Sequence, residues 1–380
     1  MKLIYGRAGT GKTEYIFKDI NKKVNEENIK EKIYIITPEQ FSFTAEKNLL
    51  RTLRNGATTK VEVLSFERMA YRVIKEKIGD VNRLEKSAKS MIVYDAIINN
   101  KNKLNFVGKS LDNIDMIITQ ITEFKKHNIT IQKLEEQVEK TDNKYLKAKL
   151  SDMLIMYKEL ENKIPENYID ENDLLTLLAK NIEESHLFDN SYFYIDEFSG
   201  FTKQEFLVIE KLNKIAKELY ITFCTDEISE NEFKEADIFY DNKESLKSLF
   251  NICKPNETIK LSENLRFKNN ELKHLEQNLF ANYYKKYNSN LQNIELDLLE
   301  NKYKEVENVA VKISKLVREE NYRFGEIAVI CNDMESYSSL FNAIFNQYEI
   351  PVFIDEKKDI TQNNLIKYVL SIFDILSSNF

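Results

Sequence analysis

The stretch that decides the fold is Gly6-Arg7-Ala8-Gly9-Thr10-Gly11-Lys12-Thr13, a full match to the pattern GxxxxGK[ST]. An apolar strand pattern precedes it and a helical pattern follows it, which is the context that this motif requires. Glycines allow successive backbone N–H groups to turn toward a phosphate, and the N-terminus of the following helix adds positive charge. An ordinary glycine turn is a poor alternative in a chain with only 8 glycines. The motif therefore predicts a nucleotide-binding loop over residues 6–13.

Two side chains of this loop have predicted roles in chemistry. Lys12 is expected to reach the β- and γ-phosphates of ATP, and Thr13 is expected to place its hydroxyl on Mg²⁺. The predicted cofactors are therefore ATP and Mg²⁺.

A second motif supplies carboxylates. The apolar run Tyr192–Ile195 is followed directly by Asp196 and Glu197. A nucleotide-hydrolysing enzyme with a phosphate loop needs such a strand beside it, so we predict that Asp196 holds Mg²⁺, directly or through water. Glu197 is predicted to orient or deprotonate the attacking water. An apolar run with an acidic end is a weak signal by itself, and the phosphate loop is what strengthens it.

The composition is that of a globular protein with a large core. The chain has 380 residues, of which 42% are hydrophobic and 31% are charged. Its formal net charge of −7 gives no basic excess of the kind that indicates strong nonspecific binding to nucleic acid. Three scattered cysteines and three separate histidines favour neither a disulfide framework nor a zinc site. No apolar run approaches the roughly 20 residues of a membrane span, so we predict a cytoplasmic protein without membrane contact.

Strand-like runs set the predicted domain organisation. They occur at Leu3–Tyr5, Ile33–Ile36, Val61–Leu64, Tyr192–Ile195, Leu219–Cys224 and Ile327–Cys331. Most are too apolar to alternate, which is typical of buried parallel strands, and helical patterns follow several of them. We therefore predict an α/β fold with a parallel sheet built from residues 1–80 and 191–280, interrupted by an all-helical insertion over 81–190. Residues 281–380 are predicted to begin a second domain with strands at 327–331 and 351–353. The sequence ends inside an apolar helical pattern, from which we expect a shortened chain.

Arg266 lies in the segment Leu261–Phe267, which follows the fifth of these strand patterns. An arginine at the edge of such a sheet is suited to stabilise the γ-phosphate from within the same chain. An exposed arginine beside a surface helix cap explains the pattern equally well.

Two further segments, Thr37–Thr44 and Leu64–Arg72, follow strands on the side of the sheet where ligands bind. Their hydroxyl, aromatic and basic side chains suit a groove that stacks bases and holds phosphates of single-stranded DNA. The candidate DNA contacts are Thr37, Phe41, Phe43, Ser65, Phe66, Arg68 and Arg72. Turn chemistry and core aromatics explain these segments at least as well.

The order of these motifs resembles superfamily 1 helicases of the UvrD/RecB type. The segments TPEQFSFTAE, FERMAYRV and IDEFSGFTKQE resemble one branch of them closely, the AddB family of helicase–nuclease subunits. The resemblance implies a RecA-like P-loop domain (1A), a helical insertion (1B) and the start of a second RecA-like domain (2A). It also implies a heterodimer with an AddA subunit, single- and double-stranded DNA as partners, and a role in resecting double-strand breaks for recombinational repair. A nuclease domain with an iron–sulfur cluster would then lie beyond Phe380.

The sequence departs from an active helicase at two places. The run ITFCTDE does not end in the expected glutamine, and only five residues precede the phosphate loop, which leaves no room for an adenine-recognising glutamine motif. We therefore expect ATP binding with weak hydrolysis at most, no nuclease activity in this segment, and a role in guiding or scanning one DNA strand. A self-sufficient superfamily 1 ATPase motor, or a partner-binding scaffold that merely retains the loop, are the alternatives.

Overall fold

The computed structural model describes residues 1–25, 29–53, 59–107, 111–228, 237–281, 283–354 and 360–378. These residues form two compact units, Met1–Asn293 and Ile294–Phe380, each with its own hydrophobic core. None of the helices in the described ranges is long and apolar enough to cross a lipid bilayer.

A six-stranded parallel sheet lies at the centre of the first unit. The strands described in this unit are β1 Lys2–Gly6, β2 Ile33–Ile36, β3 Val61–Leu64, β4 Asn82–Arg83, β5 Tyr168–Ile169, β6 Tyr192–Ile195, β7 Glu218–Cys224 and β8 Glu257–Lys260. The large sheet has the order β3-β2-β6-β7-β1-β8, and all of its neighbouring strands are parallel. The predicted α/β fold with a parallel sheet is therefore confirmed. Because parallel strands end at one edge, the segments that follow β1, β2, β3 and β6 converge there.

Helices cover both faces of this sheet. The helices described in the first unit are α1 Lys12–Asn25, α2 Ser42–Thr52, α3 Phe66–Lys77, α4 Lys86–Asn100, α5 Ile114–Lys126, α6 Ile131–Lys140, α7 Lys144–Lys163, α8 Leu174–Ser185, α9 Lys203–Ile215, α10 Tyr240–Ile252 and α11 Asn270–Asn278. Ile33 and Ile35 of β2 pack into the core with α1 and α2, whereas Tyr34 and Ile36 pack into the core with α3, α8 and α9. Burial on both faces explains why the strands are continuously apolar.

The chain between β3 and β6 forms a helical layer with a core of its own. Val93, Ile117, Ile121 and Met156 are buried there among α4, α5, α6 and α7. Two features differ from the predicted all-helical insertion over 81–190. The short strands β4 and β5 pair in parallel, and α8 packs against α3 and α9 in the core of the large sheet.

A buried lysine joins the elements of this insertion. The Lys125 ammonium lies 2.6 Å from a carboxylate oxygen of Glu161, 2.8 Å from Asp170 and 2.6 Å from Asp173. Lys89 also contacts Asp170, at 2.5 Å. The oxygens of the three acids lie within 4.8 Å of one another, as in a metal site, but the lysine ammonium supplies the cation. This ionic cluster ties α4, α5 and α7 to the turn before α8.

A buried carboxylate holds a second part of the insertion. Asp152 in α7 is fully buried and accepts hydrogen bonds from the backbone N–H groups of Asn105, Phe106 and Val107, at 2.6–3.0 Å. Three successive amides around one carboxylate form an anion nest, here occupied by the protein's own side chain. Asp152 thereby fixes the segment that follows α4.

The second unit differs from its prediction. Its helices in the described ranges are α12 Lys302–Glu319, α13 Met334–Gln347 and α14 Asn364–Ser377. Val306, Ala310 and Ile344 form its core between α12 and α13. The predicted strands at 327–331 and 351–353 are wrong, because among the described residues no neighbouring strand pairs with either run. The assignment of 281–380 to a second RecA-like domain stays a prediction.

Candidate nucleotide-binding site

The phosphate loop connects β1 to α1 at the carboxyl edge of the sheet. Gly9 and Gly11 have φ angles of +78° and +81°, which side chains other than glycine rarely adopt. The Lys12 ammonium donates hydrogen bonds to the carbonyl oxygens of Gly6, at 2.9 Å, and Arg7, at 3.0 Å. Lys12 also begins α1, so its charge lies at the positive end of a 14-residue helix. These features make the loop suitable for binding an anion.

The two predicted motifs meet at this edge. The Thr13 hydroxyl donates a hydrogen bond of 3.0 Å to Oε1 of Glu197, although the two residues are 184 positions apart in the sequence. Glu197 has a φ of +66°, an unusual value for a non-glycine residue. Such strained backbone is often found at functional sites, where the surrounding structure maintains it.

Asp196 is held from two neighbouring strands. Its backbone N–H donates to the carbonyl oxygen of Ile36 at 3.0 Å, and its Oδ1 accepts a hydrogen bond from the Thr222 hydroxyl in β7. The side chain is buried, and it lies beside Thr13 and Glu197 in the lining of a small cavity. The sequence contained no signal for Thr222, whose role depends on the pairing of β6 with β7.

The segment Leu261–Phe267 packs directly on the phosphate loop. It follows β8, an edge strand that the sequence analysis missed. The backbone N–H groups of Leu265 and Arg266 donate to the carbonyl oxygen of Gly9, at 2.8 and 3.2 Å. A Cβ atom on Gly9 would lie only 2.6 Å from the Cβ of Arg266, so this close approach requires glycine. Arg266 is thus anchored at the loop through its backbone, and its side chain is exposed.

Arg7 has a different environment from the rest of the loop. Its guanidinium donates to a carboxylate oxygen of Glu276, at 2.8 Å, and to the backbone carbonyl of the same residue, at 2.6 Å. It also lies 3.7 Å from Asp226 and 5.0 Å from the ring centre of Phe239. The side chain of Arg7 therefore connects the loop to α11, and only its backbone is available to line phosphates.

Three of the candidate DNA contacts are buried. Phe66 is 4% exposed and packs against Phe198, with ring centres 5.5 Å apart. Ser65 caps α3 by accepting a hydrogen bond from the backbone N–H of Arg68, and Thr37 is 1% exposed. The structure therefore favours the packing alternative for Phe66, Ser65 and Thr37.

The two candidate arginines are exposed and paired with acids. Arg68 lies 2.7 Å from Glu39, and Arg72 contacts both oxygens of Glu62. A hydrogen bond from Ser65, together with Arg68, holds the pKa of Glu39 below its usual value. Hydrogen bonding to Arg72 likewise lowers the pKa of Glu62. Both acids are consequently ionised and neutralise the arginines that were expected to hold phosphates.

The two remaining candidates, Phe41 and Phe43, are exposed aromatic side chains at the start of α2. Phe41 is 37% exposed and Phe43 is 74% exposed. Of the predicted DNA contacts, these rings therefore offer the most accessible stacking surface.

Comparison with protein families identifies the chain. The family model described as "ADDB, N-terminal" matches residues 3–276. The chain belongs to the AddB family. Within it, the matched range includes the phosphate loop, Asp196 with Glu197, and the segment that packs on the loop.

AddB relatives align with the whole chain. Proteins named as the B-type subunit of an "ATP-dependent helicase/deoxyribonuclease" are 39% identical in Clostridium botulinum (strain Loch Maree / Type A3), 38% in Clostridium tetani and 38% in Caldanaerobacter subterraneus. Each alignment covers 100% of this chain and 34% of the relative. The chain thus spans about a third of the length of the curated relatives it matches.

Proposed function

We propose that this chain is the N-terminal, helicase-like part of the AddB subunit of an ATP-dependent helicase–deoxyribonuclease, and that it binds Mg·ATP at residues 6–13. The observation that carries this proposal is the hydrogen bond between Thr13 and Glu197. It brings the phosphate loop and the carboxylate motif together in the way that nucleotide binding requires. Family membership supports the wider role, in which an AddA partner completes the enzyme and both single- and double-stranded DNA are bound.

The residues at the site fit a hydrated magnesium ion. Mg²⁺ prefers oxygen ligands and usually keeps several waters, and Thr13 and Asp196 offer a hydroxyl and a carboxylate on neighbouring segments. The ion would neutralise charge on the β- and γ-phosphates. Lys12 would leave the carbonyls of Gly6 and Arg7 to bind the same phosphates, and Glu197 would orient water.

Lys12→Ala should weaken the binding of ADP or ATP at least tenfold, about 1.4 kcal/mol, because it removes a charge-assisted contact to phosphate. Isothermal titration calorimetry on the 380-residue chain measures this directly. Lys18→Ala is the matched control, since Lys18 lies on the same helix but is 72% exposed and paired with Glu14. Equal affinities in wild type and Lys12→Ala would contradict nucleotide binding at the loop and favour the scaffold alternative.

We further propose that the start of α2 and α3 contacts single-stranded DNA, with Phe43 as a stacking surface and Arg68 as a phosphate contact. Arg68 lies close to this surface because Glu39, its partner, belongs to the turn before α2. A phosphate would have to replace Glu39, so binding should be weak and sensitive to salt.

Phe43→Ala should lower affinity for a fluorescent oligothymidylate about fivefold without changing its salt dependence, because stacking involves no counterion release. Arg68→Ala should instead reduce the slope of log K against log salt by about 0.7, the value for one phosphate contact on a single strand. Phe280→Ala serves as control, because Phe280 is 78% exposed but lies after α11. If all three variants bind like wild type, the DNA path lies elsewhere.

A further inference from the structure

One buried hydroxyl beside the nucleotide site lacks a hydrogen-bond partner. The Oγ1 of Thr37 is inaccessible, and no group among the described residues bonds to it. Leaving such a group unpaired in the interior costs about 1–3 kcal/mol. The backbone does not explain the position of the side chain, because the Thr37 N–H is already satisfied by the carbonyl oxygen of Leu64, at 3.0 Å. A partner that the protein itself does not supply would remove this cost.

The space beside Thr37 has the size and the neighbours for such a partner. A cavity of about 20 Å³ is lined by Thr37 together with Thr13, Asp196, Glu197 and Asn48. One ordered water needs about 10–15 Å³ and two to four polar contacts. The cavity therefore accommodates one water molecule between Thr37 and the residues expected to surround the metal ion.

We propose that Thr37 is a positioning residue for the metal site: its hydroxyl binds a water of the magnesium hydration shell. Topology supports the assignment, because β2 is the neighbour of β6, and Ile36 accepts the backbone N–H of Asp196. Thr37 is thus fixed one residue beyond the contact that holds Asp196 in place. The inference rests on the proposed binding of Mg·ATP, and it assigns to Thr37 a role other than the DNA contact suggested by the sequence.

Thr37→Val tests the inference, because valine has nearly the same shape but no hydroxyl. ADP affinity is measured by calorimetry on the 380-residue chain with Mg²⁺ and with EDTA. The gain in affinity that Mg²⁺ gives to wild type should fall about fivefold in Thr37→Val, the loss of roughly one hydrogen bond, whereas affinity in EDTA should not change. Thr37→Ser should retain the magnesium effect.

Ser42→Ala is the matched control. The Ser42 hydroxyl is likewise buried without a partner among the described residues, but Ser42 does not line the cavity. We expect Ser42→Ala to leave both affinities unchanged. Thermal unfolding without nucleotide should show Thr37→Val to be at least as stable as wild type, since an unpaired hydroxyl is removed. Thr37→Ala replaces Thr37→Val if the latter does not fold.

Two results would overturn the inference. A full magnesium effect in Thr37→Val means that the hydroxyl does not serve the ion, and an equal loss with Mg²⁺ and with EDTA means that it serves only the shape of the site. Wild type that binds ADP without depending on Lys12 would instead refute the proposed nucleotide site, and this inference with it.

Discussion

Lys125→Met should lower the free energy of unfolding by about 3–5 kcal/mol, the typical cost of removing one partner from a buried ion pair. The Lys125 side chain is only 1% exposed, and its ammonium contacts Glu161, Asp170 and Asp173. Methionine fills the same space but leaves the three acids close together without this cation. Asp170 keeps Lys89, and the other two acids lose the only close cation that the described residues show for them. Chemical denaturation followed by circular dichroism measures the change.

The pH dependence of stability provides an independent readout of the same cluster. Burial lowers the pKa of the Lys125 ammonium, but attraction by Asp173, Asp170 and Glu161 outweighs burial and raises the pKa above its ordinary value of 10.5. The stabilisation is therefore complete below pH 10.5 and is lost as the pH rises through the folded-state pKa. Lys125→Met should lack this alkaline loss.

Asp170 gives the corresponding effect in acid. Burial acts to raise the pKa of Asp170, but Lys125 and Lys89 outweigh burial and hold it below 3.8. Its contribution is present above pH 3.8 and disappears as the pH falls through the lower folded-state value. Lys126→Met is a suitable control for both effects, because Lys126 is the next residue of α5 but is 47% exposed. Equal stability of Lys125→Met and Lys126→Met would show that the buried cluster adds nothing to stability.

Asp152→Ala should destabilise the chain by about 3 kcal/mol, because three backbone N–H groups lose their shared acceptor. Water would enter the vacated space only in part, since the side chain is fully buried and Val107 beside it is also in the core. Denaturation curves give the free energy, and hydrogen exchange of residues 105–107 should accelerate.

Two further variants separate the causes. Asp152→Asn keeps one carbonyl oxygen in the nest and should cost about 1 kcal/mol, because only part of the hydrogen bonding is lost. Asp115→Ala removes a carboxylate that is 74% exposed and should have little effect. If Asp152→Ala unfolds like Asp115→Ala, the nest does not hold the segment after α4.

The strands predicted correctly from sequence share one physical property. β2 and β6 are buried on both faces, so each is a short, continuous run of apolar residues. The phosphate loop was recognisable because Gly9 and Gly11 adopt backbone conformations that few other residues tolerate. Local physics was enough in these cases.

The features that sequence analysis missed or placed wrongly depend on distant partners. β8 is a mostly exposed edge strand, and its residues Glu257–Lys260 carry no apolar pattern. The run at 327–331 is apolar and β-branched, but a strand forms only where a neighbour accepts its hydrogen bonds. The pairing of Arg7 with Glu276 joins residues 269 positions apart, and nothing in either local sequence indicates it.

The strand order determines when the site can be assembled during synthesis. β2 leaves the ribosome with β3 as its first partner, but its other neighbour, β6, follows only after the whole insertion. Asp196 and Glu197 thus reach Thr13 late, after the insertion has been made and can collapse around its separate core. Until then the apolar edge of β2 stays uncovered, and the nascent chain is exposed to aggregation. The long excursion between β3 and β6 therefore makes folding slow, because loop closure must precede the pairing that completes the sheet.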